Sequence, residues 1–168
     1  MWAWGRNNYG QLGQGTTQDR SSPAQIGSDT TWPTTDRNQL NGGADQGIFM
    51  AVKTDGTLWA WGAGRNGGLG QNAVADVASP VQIPGTTWSN VAVGMYGGSA
   101  VNTDGELWSW GYNFYGQVGD SSKTQRSSPV QVPGTTWSKP FMGFDSSGAV
   151  KTDGTLWRWV RNCLLYTS

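Results

Sequence analysis

The sequence predicts an all-β fold, a β-propeller built of four-stranded antiparallel blades, and three observations predict it. Eight of the eleven tryptophans form Trp-x-Trp pairs, at Trp2/Trp4, Trp59/Trp61, Trp108/Trp110 and Trp157/Trp159. Successive pairs stand 57, 49 and 49 residues apart, a period in the range of propeller blades. Other landmarks keep that phase: Pro23, Pro80 and Pro129 each follow the second Trp of a pair by 19 residues, and Trp32, Trp88 and Trp137 follow it by 28, 27 and 27. An Asp-Gly step precedes each of the last three pairs, at Asp55-Gly56, Asp104-Gly105 and Asp153-Gly154. Asp-Gly marks a hairpin because a type I′ turn needs positive φ at both central residues.

The middle copy supplies the elements in order. Val81-Gln82-Ile83 alternates as a strand should, and Pro84-Gly85 turns the chain. Trp88 to Val93 makes a second short strand, which the Gly94 to Gly98 segment breaks. Ser99 to Asn102 and Glu106 to Trp110 then flank Thr103-Asp104-Gly105 as a hairpin. Four strands result, forming a sheet with two apolar faces that must pack against its neighbours. The units expected on this reading are 23–61, 80–110 and 129–159, preceded by a leading strand 1–4. The first unit is eight residues longer than the others, and the excess falls in Thr34 to Gly43, read as a polar surface loop.

Composition narrows the chemistry. Eleven Lys+Arg balance eleven Asp+Glu, which argues against nucleic acid or an anionic membrane surface held by bulk charge. There is no His, so the commonest general base and metal ligand are absent, and no metal site or cofactor is expected. The single Cys163 builds neither a disulfide framework nor a zinc site. No run of 18 apolar residues spans a membrane.

Rings at i and i+2 share one strand face, and the Trp pairs are read as filling the wedge between blades. The glycines serve turns and close contacts, because no helix follows them to complete a phosphate cradle. Asp55, Asp104 and Asp153 lie one blade apart, too far to act as the close carboxylate pair of glycoside hydrolysis. Arg20, Asp19, Asp120 and Arg126 are read as loop residues.

A longer string recurs behind the pairs. Gly5-Arg6-Asn7-Asn8-Tyr9-Gly10-Gln11-Leu12-Gly13 returns as Gly62-Ala63-Gly64-Arg65-Asn66-Gly67-Gly68-Leu69-Gly70 and as Gly111-Tyr112-Asn113-Phe114-Tyr115-Gly116-Gln117-Val118-Gly119. With the Ser-Pro-x-Gln strings and the Asp-Gly-x-Leu-Trp hairpins, it resembles the signature of the regulator of chromosome condensation repeats over residues 1 to 159, in a form similar to prokaryotic or viral copies. WD40 units would need His, and kelch units share only the length and the doublets Gly42-Gly43 and Gly97-Gly98.

The resemblance implies a ring of about seven blades, of which this chain holds about three, and a non-catalytic scaffold that binds a protein partner. Its alternatives are a guanine-nucleotide exchange factor for a small GTPase, a secreted hydrolase inhibitor or a carbohydrate-binding propeller. The candidate contact residues are Tyr9, Arg65, Asn66, Phe114 and Tyr115, since Tyr and Arg suit binding hot spots. Residues 160–168 are expected to be a non-repeat tail: Val160 stands where the earlier copies have Gly5, Gly62 and Gly111. A piece of a ring with open blade faces is expected to self-associate.

Overall fold

A computed structural model describes residues 1–34, 39–43, 47–85 and 87–160. Thirteen strands run through them: β1 (Trp2–Gly5), β2 (Arg20–Gln25), β3 (Leu40–Gly42), β4 (Ile48–Val52), β5 (Leu58–Gly62), β6 (Val77–Ile83), β7 (Trp88–Val93), β8 (Gly97–Asn102), β9 (Leu107–Gly111), β10 (Arg126–Val132), β11 (Trp137–Met142), β12 (Ser146–Lys151) and β13 (Leu156–Val160). They form antiparallel sheets in the orders β1-β2, β3-β4-β5-β6, β7-β8-β9-β10 and β11-β12-β13. Two blades are therefore four-stranded, as the sequence predicts, and the sheets at either end have two and three strands. The edge strand β7 packs on β3 and on β11, so the sheets stack about one side.

The strands are grouped differently from the expected units. Each Ser-Pro strand closes the sheet of the Trp-x-Trp strand before it: Leu58 pairs with Ile83 and Trp59 with Gln82, and β9 pairs with β10 in the same way. The blades thus run 40–83 and 88–132, and the segments 80–110 and 129–159 each straddle two sheets. The expected unit 23–61 straddles two sheets as well, since β2 pairs with β1 and β3 to β5 lie in the next sheet. The physical reason lies in the connections. The long loop between β5 and β6 folds back on itself, whereas the short Pro84-Gly85 step carries the chain across the hairpin end of its own sheet. There the Trp88 N–H donates to the Gly56 carbonyl at 3.0 Å, and Trp137 repeats this with Gly105 at 2.9 Å. The segment read as a surface loop ends in a strand, for Leu40–Gly42 pairs with β4; residues 35–38 within it lie outside the described residues. β13 keeps its ladder with β12 as far as Val160. The rest of the expected tail, Cys163 included, also lies outside them.

The core is divided among the seams between sheets. Ile26, Trp32, Ala51 and Trp61 fill the first, Ile48, Met50, Leu58, Ile83, Val91 and Trp110 lie in the second, and Val101, Leu107, Val132 and Trp137 fill the third, with Trp159 packed against them. One device recurs at each seam. The second indole of a Trp pair donates its Nε1–H to a carbonyl of the preceding sheet's loop: Trp61 to Gln11 at 2.9 Å, Trp110 to Gly68 at 3.0 Å and Trp159 to Gln117 at 2.9 Å. A glycine lies against each ring, Gly13, Gly70 and Gly119 respectively, where a Cβ would stand 3.0, 2.9 and 2.6 Å from the indole. Burying an indole removes roughly 200 Å² from water, about 5 kcal/mol, against about 1 kcal/mol net for its hydrogen bond. Area holds the seam; the hydrogen bond and the glycine fix its register.

Gly5, Gly62 and Gly111 end their strands at a bulge with φ of +109°, +100° and +104°. A side chain at Gly62 or Gly111 would also collide with the carbonyl of Gly47 or Tyr96. Gly10 and Gly67 press on the backbone of Ala78 and Ser127 in the next sheet's outer strand, while Gly116 has no such neighbour among the described residues.

Candidate protein-binding face

The loops behind the Trp pairs are shaped by buried asparagines. Asn113 Nδ2 donates to the carbonyls of Ser122 and Thr124 at 3.2 and 3.0 Å, and its Oδ1 accepts the Val118 N–H at 2.8 Å. Asn7 does the same with Thr16, Gln18 and Leu12. The middle copy has Gly64 there, because the carbonyl of Ala75 occupies the space that a Cβ would need; its N–H still donates to Asp76 at 2.9 Å, as the Asn7 N–H does to Asp19 at 2.8 Å. Gln11 and Gln117 then cap the turns by accepting from the N–H of Tyr9 and Tyr115. So tied, each loop holds its tip residues at one end of the sheets.

That end carries the candidate contact residues. The Arg65 guanidinium stands 5.2 Å from the centre of the Tyr9 ring, bringing successive loops together, and Asn66 sits beside it in a short 3-10 turn at φ +58°. Phe114 is 63% exposed and meets the Tyr115 ring edge-on at 5.0 Å, while Tyr112 stacks on Phe114 at 6.3 Å. Two rings from outside the long loops complete the patch. Tyr96 meets Tyr112 at 5.9 Å and Phe144 at 6.3 Å, and Phe144 is 60% exposed. Both come from tight turns of inner hairpins, β7–β8 and β11–β12, whose tips the topology brings beside the long loops. In the sequence their only mark is an aromatic beside a Gly-rich break, as in Met95-Tyr96-Gly97. Tyr9 and Arg65 form a separate pair from the Phe114 and Tyr115 group.

Burial alone would raise the Asp120 carboxyl, but hydrogen bonds from Ser122 and Arg126 outweigh it and hold the group below the usual carboxylate range; Arg126 pairs with it at 2.7 Å. At the opposite end, Asp55 and Asp153 accept hydrogen bonds from the hydroxyl and N–H of Thr57 and Thr155, and both carboxyls are depressed by those bonds. Asp104 gives its N–H to Asn102. All three serve their turns. Among the described residues, no three His, Cys, Asp or Glu converge as a metal site would require.

The comparisons with known proteins agree with this architecture. The family model for the Regulator of chromosome condensation (RCC1) repeat matches residues 1–35, 55–101 and 104–143. Human E3 ubiquitin-protein ligase HERC2 is 30% identical over 83 residues, 49% of this chain and 2% of its own. The regulator of chromosome condensation of Xenopus laevis is 37% identical over 83 residues, 48% of this chain and 18% of its own. In the crystal structure of Kap60 bound to yeast RCC1 (Prp20), a chain of the same fold aligns with a TM-score of 0.76 at 21% identity, covering 95% of this chain and 39% of that one. The chain thus spans a small part of the relatives it matches.

Proposed function

This chain belongs to the regulator of chromosome condensation repeat family, and on that premise we propose that it is a non-catalytic protein-interaction module that binds its partner through the aromatic loop face. One observation carries the reading: Tyr96, Tyr112, Phe114, Tyr115 and Phe144 form one continuous group of rings on loops, with two phenylalanines more than half exposed. Exposed, clustered aromatics held by a rigid scaffold suit a binding hot spot. Yeast Prp20 has a protein partner in Kap60, which supports protein binding as a use of this fold, although fold alone does not transfer a partner.

The test compares proteins retained by the immobilised chain with those retained by a Tyr112→Ser/Phe114→Ser variant whose thermal melt is unchanged. A protein retained by the first and lost from the second, then bound directly as a purified component, is the expected result. Equal retention by both overturns the reading. The exchange-factor alternative is checked on the same material: faster GDP release from a small GTPase would replace it.

A further inference from the structure

The opposite end of the sheets carries a recurring arrangement of two indoles, independent of the aromatic face. In each unit the Trp that follows the Ser-Pro strand meets the first Trp of a pair edge-on: Trp32 with Trp59 at 6.4 Å, Trp88 with Trp108 at 6.4 Å and Trp137 with Trp157 at 6.2 Å. In the first unit the Lys53 ammonium sits over both rings, 4.7 and 4.1 Å from their centres, paired with Asp29. In the third, Lys151 does the same at 4.8 and 5.1 Å. Both lysines directly precede Thr-Asp-Gly, and the middle unit has Asn102 at that point.

Asn102 does not replace the ammonium. Its Oδ1 accepts from the N–H groups of Asp104 and Glu106, and its Nδ2 donates to the Glu106 carboxylate at 2.8 Å, so the side chain is drawn into the turn. What remains is an open cleft of about 410 Å³ lined by Trp88, Trp108, Pro84, Thr87, Pro129 and Asn102. The preceding seam keeps a cleft of about 330 Å³ with the corresponding wall of Trp32, Ser79 and Pro80 and with Asp29, the partner of Lys53, but Trp59 does not line it, because Lys53 lies over that ring. Glu106, held by Asn102 and by Gln131 at 3.2 Å, stands behind Asn102 and does not line the middle cleft. The cleft therefore has the two rings and an apolar wall for an alkyl stem, and no cation lines it.

We infer that this cleft receives a lysine side chain from a protein partner, which takes the place filled by Lys53 and Lys151 in the sister units. Ring faces attract ammonium through their quadrupole, and the butyl stem lies on apolar surface.

The test uses the 168-residue chain, labelled with 15N, and the blocked pentapeptide Gly-Gly-Lys-Gly-Gly. Its Nε-acetyl-lysine form keeps the stem and loses the charge. The indole N–H signals of Trp88 and Trp108, assigned from Trp→Phe variants, are expected to shift on titration and to saturate in the millimolar range, with the acetylated peptide at least about fivefold weaker. Asn102→Lys, which repeats the arrangement of the sister units, is expected to weaken peptide binding at least about tenfold by occupying the cleft from within. Should that variant fail to fold, Trp108→Leu gives a second removal of the site with the same expectation. Equal binding of the two peptides, or full binding by the variant that folds, overturns the inference.

Discussion

Asparagine and glycine side-chain positions in the long loops decide more than their small size suggests. Asn113 and Asn7 are fully buried, and truncation would leave the N–H of Val118 and the carbonyls of Ser122 and Thr124 unpaired. Asn113→Ala is expected to cost about 2–4 kcal/mol, read as a shift in the urea midpoint at constant slope. Gly70 combines φ of +67° with a Cβ position 2.9 Å from the Trp110 indole. Gly70→Ala should cost about 3 kcal/mol, from left-handed strain and overpacking together. Acid acts through the aspartates. Asp29 is depressed, first by the hydrogen bond from Lys53 and then by those from Thr31, and Asp55, Asp120 and Asp153 are depressed as well. Since folding lowers each of these values, their stabilisation is complete above the unfolded value of about 4 and is lost as pH falls through the folded ones. The melting temperature is expected to be level above about pH 5 and to drop in more acidic buffer; a curve that stays level down to pH 3 contradicts this assignment.

Strand identity was legible in the sequence and strand partnership was not. The Trp-x-Trp strands, the Asp-Gly hairpins and the inner strand from Trp88 to Val93 lie where periodicity places them, but the hairpins do not turn as type I′: φ is positive at Gly56, Gly105 and Gly154 and not at the aspartates before them. Partnership failed because a long polar string reads as a connector between units, while Asn7, Asp19 and their counterparts in fact fold it into a compact corner inside one sheet. Within the binding face, Phe114, Tyr115, Tyr9 and Arg65 were recognisable as loop residues. Tyr96 and Phe144 were not, since only the topology sets the inner hairpin tips beside those loops. The observed grouping makes its own prediction. Ile83 is fully buried and faces the seam as part of β6, so Ile83→Ala should cost about 2–4 kcal/mol. The amides of β6 should exchange with deuterium together with those of β5, and not with those of β7.

Taken together, the sheets leave apolar surface at both ends of the stack. Trp2 and Trp4 are each 60% exposed, and Leu156 and Trp157 are 66% and 53% exposed. Trp4 occupies the position from which Trp61, Trp110 and Trp159 reach across a seam. The 168-residue chain is therefore expected to associate with itself, and Trp2→Ser/Trp4→Ser should lower its mass in light scattering behind a sizing column; a monomer at every concentration tested contradicts this. The seams also bear on how such chains change over generations. Each is made from the same indole, carbonyl and glycine, supplied at the same places in a repeating unit. Unequal recombination that adds or deletes one whole unit at matching codons joins an indole to a loop already shaped to receive it. Blade number can then drift without any new interface having to evolve, whereas a cut out of phase leaves an indole without its carbonyl and is removed by selection.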